Sequence, residues 1–193
     1  IKSYIKDVEI VYVYDNSEIQ NLSLKTELEK INNVIYISSG VNDGIAKAVN
    51  ITGRIALEAD MDWLVTFDQD SYAEEGMLRQ MKEYADSNMC SSDIGIISPS
   101  YSYNSSEVHG NYNIDYSFFD KVMQSGAMNN LRIMEATGGY DENLFIDQVD
   151  YEYCIRIRLA GYKIVKVNNA LLRHNTYDAE VEIKHIDGYK IYI

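Results

Sequence analysis

The sequence predicts an α/β domain with a mostly parallel sheet flanked by helices, and three observations carry that prediction. Strand-length runs of β-branched and aromatic residues alternate with stretches of helical apolar spacing, which is the rhythm of right-handed crossovers between parallel strands. The run Asp62-Trp63-Leu64-Val65-Thr66-Phe67 reads as a buried strand and stops abruptly at Asp68-Gln69-Asp70. At 193 residues, with 46% apolar and 24% charged residues, the chain has ordinary globular composition and can bury one substantial core.

The elements follow in order. Val8 to Tyr14 is β-branched and aromatic, and Asp15-Asn16-Ser17 supplies polar turn residues that stop it. Residues 18 to 30 carry Ile19, Leu22, Leu24 and Leu28 with mixed spacing, which predicts a loop and a short helix. Val34 to Ile37 is a second strand, closed by Ser38-Ser39-Gly40. From Asp43 to about Ala59 the apolar residues recur at helical spacing behind Asn42 or Asp43 as N-cap, and Gly44 in the first turn would let a ligand approach the free N–H groups.

The 62–67 strand comes next, then a helix from about Glu74 to Ala85 and a strand from Ile94 to Ser98 that Pro99 is expected to end. Residues 100 to 115 are rich in Tyr, Ser and Asn and read as an exposed excursion. Phe118 to Gln124 is strand-like, and a helix over Leu131 to Ala136 ends at Gly138-Gly139. The stretch from Phe145 opens a helix that runs to Gly161, with Tyr153, Cys154 and Ile157 as its buried stripe and Glu152 to Arg156 as an i,i+4 pair. Lys163 to Val167 and Ala170 to Leu172 read as two short strands before His174. No repeat or linker divides the chain.

Composition excludes several partners. Thirty acidic against seventeen basic residues give a net charge of -13 with no basic run, which argues against a nucleic-acid backbone. An acidic protein that handles an anionic ligand needs a divalent cation to offset the repulsion. Two cysteines, Cys90 and Cys154, form neither a disulfide framework nor a zinc spacing, which favours a reducing compartment. No run approaches the roughly 20 apolar residues that span a bilayer, and no signal peptide is visible. The chain opens on Ile1 rather than methionine, which leaves an upstream segment open.

Taken in order, these motifs resemble the family-2 glycosyltransferases of the GT-A fold, and more narrowly their rhamnosyltransferase-like branch. Val13-Tyr14-Asp15-Asn16-Ser17 is similar to the strand end that meets the nucleoside, and Asn42-Asp43-Gly44-Ile45-Ala46-Lys47-Ala48-Val49-Asn50 to the family's Asn-x-Gly-Ile-Ala-x-Ala-x-Asn helix start. Phe67-Asp68-Gln69-Asp70-Ser71 resembles its DxD motif. Ser125-Gly126-Ala127 and Gly138-Gly139-Tyr140-Asp141-Glu142 resemble the donor-side Ser-Gly and the Gly-Gly-Phe-Asp-Glu turn. Leu144 to Arg156 is similar to Leu-Phe-Ile-Asp-x-Val-Asp-x-Glu-Trp-Cys-Leu-Arg, with Tyr153 in place of Trp. The family's first strand reads as missing before Ile1, and the chain stops soon after His174. One GT-A domain over residues 1–193, incomplete at both ends relative to the family, is the expectation.

The resemblance implies an inverting, metal-dependent transfer of a sugar from a nucleotide diphosphate, with Mg2+ or Mn2+ as cofactor. The Asp-Gln-Asp-Ser form leans toward dTDP-L-rhamnose, with a UDP-sugar as the other donor and a saccharide or lipid-linked precursor of a surface polysaccharide as acceptor. The implied nucleotide-sugar residues are Asp15, Asn16, Asn42, Gly44, Asp68, Ser125 and Gly126. Asp70 and His174 fall on the metal, Phe145 and Asp147 on the acceptor side, and Asp150 on the base that takes the acceptor's proton. The expected place is the cytoplasm, with peripheral contact at the inner face of the cell membrane left open.

Plainer readings stand beside these. Asp68 and Asp70 can end a strand in a solvated turn, Asp15 and Asn16 can be turn residues, Asp147 can cap a helix whose positive end favours Asp150, and His174 can be a surface residue. Most of the 17 tyrosines fit half-buried strand positions. Two other functions share part of the pattern. A haloacid-dehalogenase-like phosphatase would use Asp68 as nucleophile, but it normally carries that aspartate on its first strand and needs a later lysine and an acidic pair on another strand. The other is a non-catalytic remnant that binds a nucleotide sugar, or only a partner protein.

Overall fold

In the computed structural model of the chain the described residues are 4–87, 91–103, 115–174, 183–186 and 189–192. The strands are β1 (Val11–Asp15), β2 (Val34–Ser38), β3 (Trp63–Val65), β4 (Ser71–Ala73), β5 (Ile94–Tyr103), β6 (Tyr116–Phe119), β7 (Met128–Asn130), β8 (Lys163–His174), β9 (Ile183–Ile186) and β10 (Tyr189–Tyr192). The helices are α1 (Leu22–Leu28), α2 (Gly44–Glu58), α3 (Met77–Ala85), α4 (Leu131–Ala136) and α5 (Val149–Leu159).

The α/β layering is as expected, and the pairing is mixed. β1 and β2 form a parallel pair, while the main sheet runs β3-β7-β5-β8-β4 with β6 also on β8. Within it β5 and β8 are parallel, whereas β3–β7, β5–β7, β4–β8 and β6–β8 are antiparallel. The antiparallel members β4, β6 and β7 are only three or four residues long, too short to announce themselves by periodicity.

Period-2 alternation along the central strands splits the core. Ile96 and Ile164 face a layer made by α2, α4 and α5, with Ala46, Val49, Leu131, Tyr153 and Ile157. Ile97 and Val165 face the other side, where Met77, Leu78, Met81 and Tyr84 of α3 pack. The expected stripe of α5 is there: Tyr153, Cys154 and Ile157 are buried. Arg156 binds Glu152 through two bonds of 2.7 and 2.6 Å and also donates to the Thr137 carbonyl at 2.7 Å. No helix among the described residues is long and apolar enough to cross a membrane.

Four expectations need correction. Pro99 does not end its strand: β5 continues to Tyr103 because the register against β8 shifts there, from Pro99↔Val167 to Ser100↔Leu171, a position where a strand tolerates a missing N–H. The two short strands 163–167 and 170–172 are one strand, bulged at Asn168, Asn169 and Ala170. The bulge is anchored by Asn168 N–H to the Asp115 carbonyl at 3.0 Å and Ser100 Oγ to the Asn168 carbonyl at 3.0 Å. The strand 118–124 is cut back to Tyr116–Phe119. The helix expected from Phe145 begins only at Val149, because Asp147 and Gln148 adopt left-handed backbone angles, φ 62° and 57°. The 100–115 excursion and Cys90 fall largely outside the described residues.

Candidate functional site

The site is assembled by two antiparallel pairings. β3 pairs with β7, and the ladder continues past the C-terminal end of β3: Thr66 N–H donates to the Ala127 carbonyl at 3.1 Å and Gly126 N–H to the Thr66 carbonyl at 2.7 Å. Thr66 Oγ1 also donates to the Gln124 carbonyl at 2.6 Å. That pairing delivers Ser125 to the DxD segment, where its Oγ accepts from Asp68 N–H at 3.1 Å and donates to Ser71 Oγ at 2.6 Å. Gly126 has φ +81°, and a Cβ there would lie 2.9 Å from Pro99 Cγ and 3.0 Å from Leu172 Cδ2, so the loop can only pack this closely as glycine.

The second pairing, β4 on β8, sets Ser71 opposite His174, one residue from Asp70. Asp68 and Asp70 are both half-buried. Of His174 the backbone alone is described.

Asp150 joins the same frame from the far side. As the second residue of α5 it takes Gln124 N–H on Oδ2 at 3.3 Å and its neighbour's Tyr151 N–H on Oδ1 at 2.8 Å. Asp68 and Asp150 are thus tied to adjacent residues of one loop, Ser125 and Gln124.

At the tips of β1 and β2 a second cluster forms. Asp15 accepts from Ser17 N–H at 3.1 Å, from Asn21 N–H at 3.2 Å and from the Tyr36 hydroxyl. The hydrogen bonds from Ser17 and Tyr36 hold its carboxyl down at about 2, and Asp15 in turn pushes the Tyr36 hydroxyl up to about 12. The turn role of Asp15 is therefore filled by its own chain. Asn16 Oδ1 accepts from Asp43 N–H at 2.7 Å, and Asn42 Oδ1 from Gly44 N–H at 3.1 Å.

Asp43 is the hub that sequence reasoning treated only as a cap. Its carboxylate, 2% exposed, binds Lys47 Nζ at 2.6 Å, the Tyr14 hydroxyl at 2.7 Å and Ser39 Oγ, so it ties β1, β2 and α2 together instead of capping the helix by a side-chain bond. Lys47 first, then Ser39 and Tyr14, hold its carboxyl at about 2. The i,i+4 spacing of Asp43 and Lys47 was the available signal; the tyrosine and serine were not visible as partners.

Because Asp15 and Asp43 are both depressed from 3.8, they stabilise the fold above that value, and the contribution is lost as pH falls towards about 2. Acidification through this window is expected to loosen the β1–β2–α2 corner, read by near-UV circular dichroism. The acid limb should shrink in Asp43→Asn; an unchanged limb would place the sensitivity elsewhere.

Gly44 differs from expectation. Its φ is +75°, but the space where a Cβ would sit is filled by Phe145, whose carbonyl oxygen is 2.8 Å from that point. Ile45 N–H donates to the same carbonyl at 3.2 Å. The close approach at this helix start is made by the protein's own chain. It brings exposed Phe145 against the start of α2, two residues before the strained Asp147.

Two half-buried aspartates at one strand end supply the hard oxygen donors that Mg2+ or Mn2+ takes. Among the described residues no three His, Cys, Asp or Glu side chains converge on one point. One or two carboxylates, Asp68 and Asp70, are what this strand end offers such an ion. A cavity of 450 Å3 lies elsewhere, between Asn50, Tyr140, Glu142, Glu152 and Arg156, and its acidic lining opposes a diphosphate.

Comparison with known proteins accounts for this arrangement. The family model Glycosyl transferase family 2 matches residues 1–141. A dTDP-rhamnosyl transferase, RfbF of Shigella flexneri, is 31% identical over 189 residues, covering 90% of this chain and 62% of its own length, so the chain spans less than two thirds of that relative. GalNAc-T7, solved with UDP, GalNAc and Mn2+, superposes with a TM-score of 0.72 at 12% identity over 97% of this chain and 41% of its own. TarS 1-349 of S. aureus in complex with UDP gives 0.59 at 13% identity over 86% of this chain and 51% of its own. Those likenesses show the GT-A fold, and the match over 141 of 193 residues removes the phosphatase reading of Asp68: the chain belongs to glycosyl transferase family 2.

Proposed function

We propose that the chain carries the catalytic site of an inverting glycosyltransferase that takes its sugar from a nucleotide diphosphate, with dTDP-L-rhamnose as donor. The observation that supports the reading is the hydrogen-bonded loop that ties Asp68 to Ser125 and the Asp150 carboxylate to Gln124, so that one short segment touches both the DxD stretch and the start of α5. The likeness to a dTDP-rhamnosyl transferase supports the choice of donor.

In this reading an acceptor hydroxyl oxygen attacks the anomeric carbon as the bond to the diphosphate oxygen breaks. The diphosphate leaves with the bonding electrons, and Asp150 takes the hydroxyl proton. Asp70 is the residue that would hold Mg2+ or Mn2+, with His174 as a further ligand and Asp68 turned toward the ribose; the ion would offset the charge on the leaving diphosphate. Asp15, Asn16 and Asn42 border the nucleoside, Ser125 and Gly126 the donor sugar, and Phe145 and Asp147 the acceptor. The acceptor is a saccharide or a lipid-linked precursor of a surface polysaccharide, met at the cytoplasmic side of a membrane.

Thermal denaturation tests the donor half directly. Manganese with dTDP is expected to raise the midpoint more than manganese with UDP, because a ligand selective for the folded state stabilises it. A larger shift with UDP would change the nucleotide, and no shift with either would favour a remnant that no longer binds a donor.

A further inference from the structure

Asn50 carries a cluster of contacts apart from the reacting groups. It sits in the middle of α2, and its side-chain amide pairs with a peptide ninety residues away: Nδ2 donates to the Tyr140 carbonyl at 2.8 Å and Oδ1 accepts from Tyr140 N–H at 2.8 Å. This two-bond ring is the pattern one strand offers another, made here by a side chain. Nδ2 also donates to Glu142 Oε1 at 2.9 Å. Gly139 leaves the room for it: its φ is +69°, and a Cβ there would stand 2.4 Å from Asn50 Oδ1.

What the clamp holds is the wedge between the two sides of the site. Tyr140 is 2% exposed, and its hydroxyl donates to Asn129 Oδ1 at 3.1 Å on β7, the strand that follows Ser125-Gly126-Ala127. Its ring stacks on Tyr153 of α5 with centroids 4.3 Å apart and planes 30° apart. Tyr153 lies three residues after Asp150 on the same helix. The peptide that Asn50 grips therefore sets the spacing between β7, which leads from the Ser125 loop, and α5, which presents Asp150.

The strained residues Asp147 and Gln148 lie between the grip at Tyr140 and Asp150, so the entry to α5 depends on contacts from outside itself.

We propose that Asn50 is a positioning residue of the transfer reaction, acting through the Tyr140 peptide and ring to hold α5 and Asp150 in register with the Ser125–Asp68 side of the site. The proposal rests on Asp150 being the base. Misplacing a reacting group by about 1 Å costs on the order of a hundredfold in rate, so loss of the clamp acts on turnover more than on donor binding.

The test compares Asn50→Ala with Ala56→Gly, a destabilising change on the same helix at a buried residue outside the clamp. Two quantities are read in the purified protein: release of dTDP from dTDP-L-rhamnose with water as acceptor, and hydrogen exchange at the Gln124 and Glu152 amides. Asn50→Ala is expected to lower kcat about tenfold or more with KM within about twofold, and to speed exchange at both amides by about tenfold. Ala56→Gly should do neither at a matched loss of Tm.

Equal behaviour of the two variants in both measurements would overturn the proposal. If Asp150→Asn keeps wild-type turnover, the base assignment fails instead, and the exchange comparison still decides whether Asn50 governs the register of α5.

Discussion

Asp150→Asn is expected to lower the transfer rate by about 10²- to 10⁴-fold while leaving nucleotide binding within about twofold, the range that a positioned base contributes. Asparagine keeps an oxygen for the Gln124 N–H that Asp150 accepts at 3.3 Å, so the loop beside Asp68 stays in place. It loses the capacity to take a proton. It also loses the interaction of a carboxylate with the N-terminal end of α5, worth about 0.3 to 1 kcal/mol at an exposed site, which is too little to unfold the domain. The rate loss should therefore appear in kcat with Tm nearly unchanged, and transfer at the wild-type rate would remove Asp150 from the chemistry.

Asp70→Ala is the second large effect. With manganese present, affinity for dTDP should fall at least about tenfold, or about 1.4 kcal/mol, to the value measured in a chelator. The fold should survive: Asp70 precedes β4 and lies outside its ladder with β8, which begins at the Ser71↔His174 pair. Asp68→Ala provides the contrast, since the bond from residue 68 to Ser125 uses its backbone N–H and outlasts the side chain. Calorimetric titration of dTDP with and without manganese separates the two variants. Unchanged manganese dependence in Asp70→Ala would move the ligand to another residue.

Much of the fold was legible because local chemistry announced it. The apolar spacing of α2, the Gly138-Gly139 stop after α4, and the buried stripe Tyr153, Cys154 and Ile157 all follow from rules that act over a few residues. The errors cluster where a distant partner overrides a local signal. Pro99 breaks strands in isolation, yet a bulge in β8 absorbs it. Phe145 to Gln148 has apolar residues suited to a helix, yet the Phe145 carbonyl is held by Ile45 N–H and the helix starts only at Val149. The short β4 and β7 carry no period to detect, and those two strands assemble the site.

The sequence by itself determined which residues stand at strand ends, Asp15 and Asn16 after one strand and Asp68 and Asp70 after another, and put Asp150 on a helix whose start the fold then moved to Val149. Strand ends are set by turn preferences that neighbouring residues express on their own. Only the tertiary structure decided which of these ends meet. The β3–β7 ladder brings Ser125 to Asp68, the β4–β8 ladder sets the His174 backbone opposite Ser71, and the Gln124 amide brings Asp150 to the same loop. Those contacts join residues 26 to 103 positions apart, and such pairings are chosen by the packing of whole layers rather than by local preference.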